Sequence, residues 1–264
     1  MPDSSIHPLL FLLEVKNISK RFASSRGKNT VISALNDVSF TIERPGGALG
    51  ILGESGSGKT TLAKIICGLE IPDEGKIFYK GKDVTGRISG IQMIFQNPYS
   101  SLNPKLKISS QICEAIKTRQ EFSDHKSAIG KASEILSLVG LNPDEILERF
   151  PHQLSTGQRQ RVAIARALAA EPDLIIADEA VSSLDVSVQA QILNIFRELR
   201  SRTNISLIFI SHDALATAYV CDEIMVMKDG KIIEHNKSRE IISAPEEQYT
   251  RELVGAATIP VMSL

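Results

Sequence analysis

Eight consecutive residues, Gly53-Glu54-Ser55-Gly56-Ser57-Gly58-Lys59-Thr60, restrict the folds open to this chain more than any other feature. They carry the spacing G-x-x-x-x-G-K followed by Ser or Thr. An apolar run, Ala48–Leu52, precedes them, and Leu62, Ile65, Ile66 and Leu69 follow at i, i+3, i+4 and i+7, one face of a helix. Strand, glycine loop and helix in that order form a phosphate cradle. Glycines let successive N–H groups converge on phosphate oxygens where a Cβ would obstruct them. The helix adds its positive N-terminal end. Lys59 is then positioned for the β/γ-phosphates and the Thr60 hydroxyl for Mg²⁺, with Thr61 near the α-phosphate. A glycine-rich turn with an incidental lysine is the competing reading, and the flanking strand and helix count against it.

A second element of the same chemistry lies downstream. Leu174-Ile175-Ile176-Ala177-Asp178-Glu179 is an apolar strand ending in two acids. At the carboxyl end of a parallel strand such side chains open towards the ligand crevice. Asp178 is placed to hold Mg²⁺ through water, and Glu179 to orient the water that attacks the γ-phosphate. Residues 174–177 and 206–210 read as parallel strands buried on both faces. Val38, Phe40 and Ile42 alternate with polar residues before a Pro45-Gly46-Gly47 turn. Glu223–Lys228 and 231–234 flank the hairpin signal Asp229-Gly230. Ile192, Ile195, Phe196 and Leu199 repeat the helical spacing. Strands alternating with helices predict a doubly wound α/β core. The stretch 110–148 has helical periodicity only and predicts an inserted helical subdomain. The tail after Asn236 is expected to pack on the core.

Composition narrows the class. Lys plus Arg number 30 against 31 Asp plus Glu, a net charge of −1, which argues against a nucleic-acid partner held through its phosphates. The apolar run 9–13 is far short of the roughly 20 residues that span a bilayer. It also lacks the basic flank of a signal peptide, so the chain is expected not to be exported. Cys67, Cys113 and Cys221 share no metal-ligand spacing and read as buried thiols of a reducing cytosol.

GTPases, kinases and helicases share the two acid and phosphate elements. Leu154-Ser155-Thr156-Gly157-Gln158 resembles the L-S-G-G-Q signature of ABC-type ATPases, with Thr156 standing where the family usually has glycine. Gln96, at the end of a strand expected over 91–95, matches the Q-loop of that family. Ser183-Leu184-Asp185 matches its D-loop, and His212 its switch histidine. Phe22 matches the aromatic residue that stacks on adenine. By itself Ser155 would be an ordinary helix N-cap, Phe22 a core residue and His212 a strand-end cap. In this order they resemble the ABC family over nearly the whole chain. The resemblance implies ATP and Mg²⁺, with Thr60, Gln96 and Asp178 as the metal ligands and Glu179, His212 and Gln96 as the catalytic set. It implies that Ser155 and Gly157 act on the nucleotide of a second subunit, and that Gln158 and Asp185 belong to the nucleotide-binding set. The implied fold is a phosphate-loop NTPase (RecA-like) α/β core with an antiparallel β subdomain and an inserted helical subdomain. One domain over 1–264 would comprise a core at 1–97 and 160–236, helices with the signature at 98–159, and a short tail at 237–264.

The branch is readable too. Phe95-Gln96-Asn97-Pro98-Tyr99-Ser100-Ser101-Leu102-Asn103-Pro104 resembles the run after the Q-loop in oligopeptide and dipeptide importer ATPases. The stretch 178–191 resembles their second, F-type, ATPase subunit, and Tyr249-Thr250-Arg251-Glu252-Leu253 their C-terminal segment. The implied partners are two integral membrane permease subunits, a second related ATPase subunit (a heterodimer rather than a homodimer) and, indirectly, an external solute-binding protein. The implied location is peripheral, at the cytoplasmic face of the inner membrane. Nickel and metal-chelate importers share much of this wording. A soluble ABC protein acting on ribosomes or DNA is the alternative of a different class, but the chain has neither two cassettes with a charged linker nor a long coiled-coil insertion. A regulatory nucleotide-binding partner with a weak site is a third reading, motivated by Thr156.

Overall fold

The computed structural model describes residues 11–23, 31–43, 45–84, 86, 88–98, 101–119, 124–182 and 184–257. The stretch 1–10 and the motif residues Tyr99, Ser100 and Ser183 lie outside them. Among the described residues two sheets form. The first is antiparallel, in the order β2-β1-β4-β5, from β1 (Leu13–Ala23), β2 (Val31–Ile42), β4 (Glu74–Tyr79) and β5 (Lys82–Val84). The second runs β10-β9-β3-β8-β7-β6, from β3 (Ala48–Leu52), β6 (Ile91–Ile94), β7 (Leu174–Asp178), β8 (Ser206–Ser211), β9 (Glu223–Lys228) and β10 (Lys231–Lys237). All its neighbours pair in parallel except β10, which returns antiparallel to β9 through the Asp229-Gly230 turn.

The three central strands β3, β7 and β8 are buried at every position. Helices on both faces leave no polar side free, which is why these strands read as unbroken apolar runs. In β2 the alternation holds at Val38, Phe40 and Ile42, all buried. It slips in β1, where Leu13 and Val15 are followed by Ile18 rather than a buried residue at 17. Asn17 takes a left-handed backbone (φ 51), and its side-chain amide donates to Asp37 Oδ1 at 2.8 Å, so the pairing bulges there.

Helix α1 (Lys59–Ile66) leaves the glycine loop and buries Leu62, Ile65 and Ile66. It stops there; Gly68 turns the chain at φ 67, and Leu69, expected on the helix, lies beyond it and is 52% exposed. Between the sheets' strands come α2 (Ile108–Lys117), α3 (His125–Leu138), the single turn α4 (Pro143–Ile146) and α5 (Thr156–Ala169). Ile112, Ile116, Ile135, Leu136, Val139 and Val162 belong to one buried cluster there. α5 also packs on β6, which joins this helical region to the main sheet. α6 (Val186–Arg202) buries Ile192, Ile195, Phe196 and Leu199, and the Phe196 ring meets Phe209 of β8 edge to face at 5.8 Å. The last helices are α7 (Ala214–Val220), α8 (Ser238–Ser243) and α9 (Gln248–Ala256); they pack on a cluster containing Leu52, Ile224 and Val226.

Cys67, Cys113 and Cys221 are reduced and buried, and burial pushes the Cys113 and Cys221 thiols up. Among the described residues no helix is long and apolar enough to cross a membrane.

Candidate nucleotide-binding site

The glycine loop leaves the carboxyl end of β3, in the middle of the main sheet. Gly58 is its pivot. Its backbone is left-handed (φ 103), and a Cβ built there would lie 2.4 Å from the Ala34 carbonyl oxygen of β2. No side chain fits in that space. Gly58 is also the N-cap of α1, and it offers no side-chain cap, so the N–H groups of the helix's first turn have no acceptor from their own helix. Such an uncapped N-terminus suits phosphate oxygens.

Lys59 is 4% exposed and folds back over the loop, donating to the Gly53 and Glu54 carbonyls at 2.7 Å each. Ser57 Oγ lies 3.4 Å from the same nitrogen. Burial lowers the Lys59 pKa, while the charges of Glu179, Asp178 and Glu54 work against that drop. The Ser57 carbonyl accepts from the Gly230 N–H at 3.1 Å, tying the loop to the β9–β10 turn.

Thr60 Oγ1 donates to Asp178 Oδ1 at 3.2 Å, so the first turn of α1 meets the end of β7. Burial raises the Asp178 pKa, the Thr60 hydrogen bond opposes this, and the Glu179 charge adds to the rise. A buried carboxylate beside a hydroxyl is the kind of oxygen pair that Mg²⁺ takes together with substrate phosphates. Among the described residues no cluster of three His, Cys, Asp or Glu would hold a metal unaided. The Thr60 hydroxyl and the Asp178 carboxylate, 3.2 Å apart, are a donor set that fits a Mg²⁺ ion sharing its ligands with a nucleotide.

Gln96, Glu179 and His212 come together from the ends of three adjacent strands. β6 stops at Ile94, one residue before the expected Phe95, and Gln96 follows in the loop. Its Nε2 donates to Glu179 Oε2 at 2.9 Å. His212, just past β8 and 57% exposed at the side chain, places Nδ1 3.8 Å from Glu179 Oε1. Glu179 has a left-handed backbone (φ 46), and its N–H donates to Ile210 O at 3.0 Å. Ser182, which sequence reasoning missed, donates its hydroxyl to Glu179 O at 3.0 Å and lies 3.4 Å from Gln96 Nε2. It sits one turn beyond the acid pair, and only the fold reveals the contact.

Among the described residues the remaining sequence-predicted residues share no hydrogen bond with the loop. Phe22 lies in β1 opposite Ile32 of β2; it is 38% exposed, with Lys20 Nζ 5.3 Å from its ring centre. Ser155 caps α5 in a reciprocal box: its hydroxyl accepts the Gln158 N–H at 3.2 Å, and Gln158 Oε1 accepts the Ser155 N–H at 3.0 Å. Thr156 Oγ1 accepts from Arg159 at 3.1 Å, so its hydroxyl is held within its own helix turn. A Cβ on Gly157 would lie 2.7 Å from Val188 Cγ1 of α6. Gly157→Ala is therefore expected to lower the thermal unfolding midpoint, at a cost of about 1–3 kcal/mol. Adding Val188→Ala should restore most of the loss, and a Gly157→Ala midpoint equal to that of the parent would refute the contact. Asp185 caps α6, its Oδ1 accepting from Ser187 Oγ at 2.7 Å and from the Val188 N–H at 3.0 Å, which lowers its pKa. Among the described residues no hydrogen bond joins Ser155, Gly157, Gln158 or Asp185 to the glycine loop, and α5 packs on α2, α3 and β6 instead.

A glycine loop at a central strand end, with its lysine and threonine facing a strand-end aspartate, defines a phosphate-loop nucleotide-binding fold. The family described as "ABC transporter" matches residues 35–182. The chain is 39% identical over 258 residues to the oligopeptide transport ATP-binding protein OppF of Bacillus subtilis, covering 94% of this chain and 83% of that protein. It is 38% identical over 256 residues to the dipeptide transport ATP-binding protein DppF of Escherichia coli, covering 93% and 76%. Among solved structures it resembles the dimeric ATP-binding cassette MJ0796 in a post-hydrolysis state bound to ADP and Pi. The TM-score is 0.76 at 28% identity, covering 86% of this chain and 99% of that one. It also resembles cbiO1 from Clostridium perfringens, part of the ABC transporter complex cbiONQ (TM-score 0.75, 26% identity, 89% and 92% covered). This chain belongs to the ABC transporter family.

Proposed function

We propose that the chain is the ATP-hydrolysing subunit of a binding-protein-dependent ABC importer for peptides. The observation that carries the reading is the convergence at four adjacent strand ends: Lys59 and Thr60 beyond β3, Gln96 beyond β6, Asp178 and Glu179 at β7, His212 beyond β8. Peptides are proposed as the cargo because OppF and DppF, relatives that match along nearly the whole chain, are oligopeptide and dipeptide transport ATP-binding proteins.

In this reading the loop N–H groups and Lys59 bind the β- and γ-phosphates of ATP, and the exposed Phe22 ring stacks on the adenine. Thr60, Gln96 and Asp178 are the residues that would hold Mg²⁺, which when bound neutralises charge on the phosphate oxygens. Glu179 aligns a water and accepts its proton as the water oxygen bonds to the γ-phosphorus. The bond from that phosphorus to the β–γ bridging oxygen breaks, leaving ADP and inorganic phosphate. His212 sits beside Glu179, where it reaches the γ-phosphate. Ser155, Gly157, Gln158 and Asp185 complete the site of a second ATPase subunit; the exposure of Ser155 and Thr156 at the start of α5 supports this.

A cavity of about 750 Å³ supports contact with permease subunits. It opens beside the Gln96 segment and is lined by Met93, Phe95, Leu102, Leu106 and Ala115, with Arg166 at its wall. An inserted permease element there would touch the same loop that carries Gln96. The chain then works peripherally at the cytoplasmic face of the membrane, and the external solute-binding protein acts on it through the permeases.

The test is a pair of cysteines in the assembled transporter, Ser55→Cys in this chain and a cysteine at the signature serine of the facing ATPase subunit, which is Ser155→Cys where the two subunits are copies of this chain. The native cysteines are buried and do not compete. A nucleotide-dependent crosslink joining separate ATPase chains is expected. Crosslinks that never join two chains in the presence of ATP would overturn the two-subunit site.

A further inference from the structure

The C-terminal helix reaches the glycine loop. Tyr249, in the first turn of α9, places its hydroxyl 3.1 Å from the Glu54 backbone nitrogen, and the Glu54 N–H donates to it. Glu54 is held at its other main-chain group as well, since its carbonyl accepts from Lys59 at 2.7 Å. These two bonds differ in what they survive. Phosphates arriving in the loop compete for Lys59, and the carbonyls of Gly53 and Glu54 then lose their donor. The tyrosine bond uses the Glu54 N–H, a group that Lys59 does not touch, so it does not depend on where the lysine points.

The tail is built to present that hydroxyl. The Glu234 carboxylate of β10 accepts the N–H groups of Glu246 and Glu247 at 2.9 and 3.2 Å, fixing the approach to α9. Arg251 donates from Nε to Pro245 O at 3.0 Å, closing the same turn. Thr250 is fully buried, and Tyr249 and Leu253 pack against the cluster that contains Leu52, the residue before Gly53. Lys228, at the end of β9, lies 4.5 Å above the Tyr249 ring. Ring, cation and neighbouring backbone together leave the hydroxyl aimed at the loop.

We infer that Tyr249 is a positioning residue for the phosphate loop: from the C-terminal helix it holds the first peptide after Gly53 in place, so that the loop keeps its binding shape when Lys59 turns to the phosphates. The inference rests on the ATP-binding reading above and deepens it. Tyr249→Phe removes one oxygen and leaves the ring, its packing and the Lys228 contact. Two measurements on the full chain decide the matter. Amide hydrogen exchange without nucleotide should speed up at Glu54 in Tyr249→Phe, because the N–H loses its acceptor. In the assembled transporter KM for ATP should rise about 2- to 12-fold, the range expected from one lost hydrogen bond, with the change falling on KM more than on kcat. Tyr249→Ala, which also deletes the packing, should add a lower thermal midpoint that Tyr249→Phe does not show. Unchanged exchange at Glu54 in the Phe variant would overturn the tether, whatever the chain binds. Faster exchange with an unchanged KM would overturn the positioning role. Failure of the parent chain itself to bind ATP would instead sink the functional reading, and it would be visible without any variant.

Discussion

Glu179→Gln is expected to lower ATP turnover by at least about 100-fold while leaving ATP binding intact, the range set by loss of a positioned proton acceptor. The substitution is nearly silent in shape. Gln96 Nε2 donates to Glu179 Oε2 at 2.9 Å, and a glutamine oxygen accepts the same bond. The left-handed backbone at φ 46 costs a glutamine what it costs the glutamate. What disappears is the negative charge and with it the basic lone pair. The nucleotide cradle lies beyond β3 and keeps every one of its own contacts. Single-turnover hydrolysis of γ-labelled ATP reads the chemistry, and equilibrium nucleotide binding reads the cradle. If two ATPase subunits close over ATP as proposed, a variant stalled before hydrolysis should also accumulate as a closed dimer with ATP on size-exclusion chromatography. Parent-like turnover in the variant would remove Glu179 from catalysis and leave His212 or Gln96 to take its place.

Lys59→Ala is expected to act at the earlier step, on binding. Two charge-assisted hydrogen bonds to phosphate, at about 1.5–3 kcal/mol each, correspond to about 160- to 25,000-fold in affinity. The cation also sits between Glu54, Asp178 and Glu179, so its removal leaves acidic groups unopposed where a triphosphate must enter. ATP binding by isothermal titration should fall below detection, and hydrolysis with it. An affinity within about threefold of the parent would show that the loop binds phosphates through its backbone alone. The two variants separate the reading into parts: one removes chemistry after binding, the other removes binding.

Much of this site is legible in the sequence because it is local. The glycine loop, the acids closing β7 and the apolar runs of β3, β7 and β8 are each contained in a few consecutive residues, and burial on both faces gives those strands an unmistakable pattern. β1 is not legible, since the bulge at Asn17 breaks the two-residue period just where Ile18 resumes it. β4 hides for a different reason: of its six residues only Ile77 is buried, so it shows no alternation to read. Leu69 matches the helical period of α1, but Gly68 has already turned the chain. Contacts between distant segments leave no local trace at all. Nothing near Gly157 announces Val188, and nothing near Glu54 announces Tyr249, 195 positions away. Thr156 is the reverse case. In the sequence it stands out as an intrusion on the signature; in the structure its hydroxyl is taken up by Arg159.

The separation of the α5 tip from the glycine loop within one chain has a consequence for how damage is inherited. If each pocket draws its cradle from one chain and its closing helix from the other, a lesion at Lys59 and a lesion at Ser155 fall in different pockets when both sit on the same chain. Placed on opposite chains, both fall in one pocket and the other is left whole. Two crippled chains could then still build one working pocket where one doubly injured chain with a healthy mate could not, and the unit of function would be the facing pair.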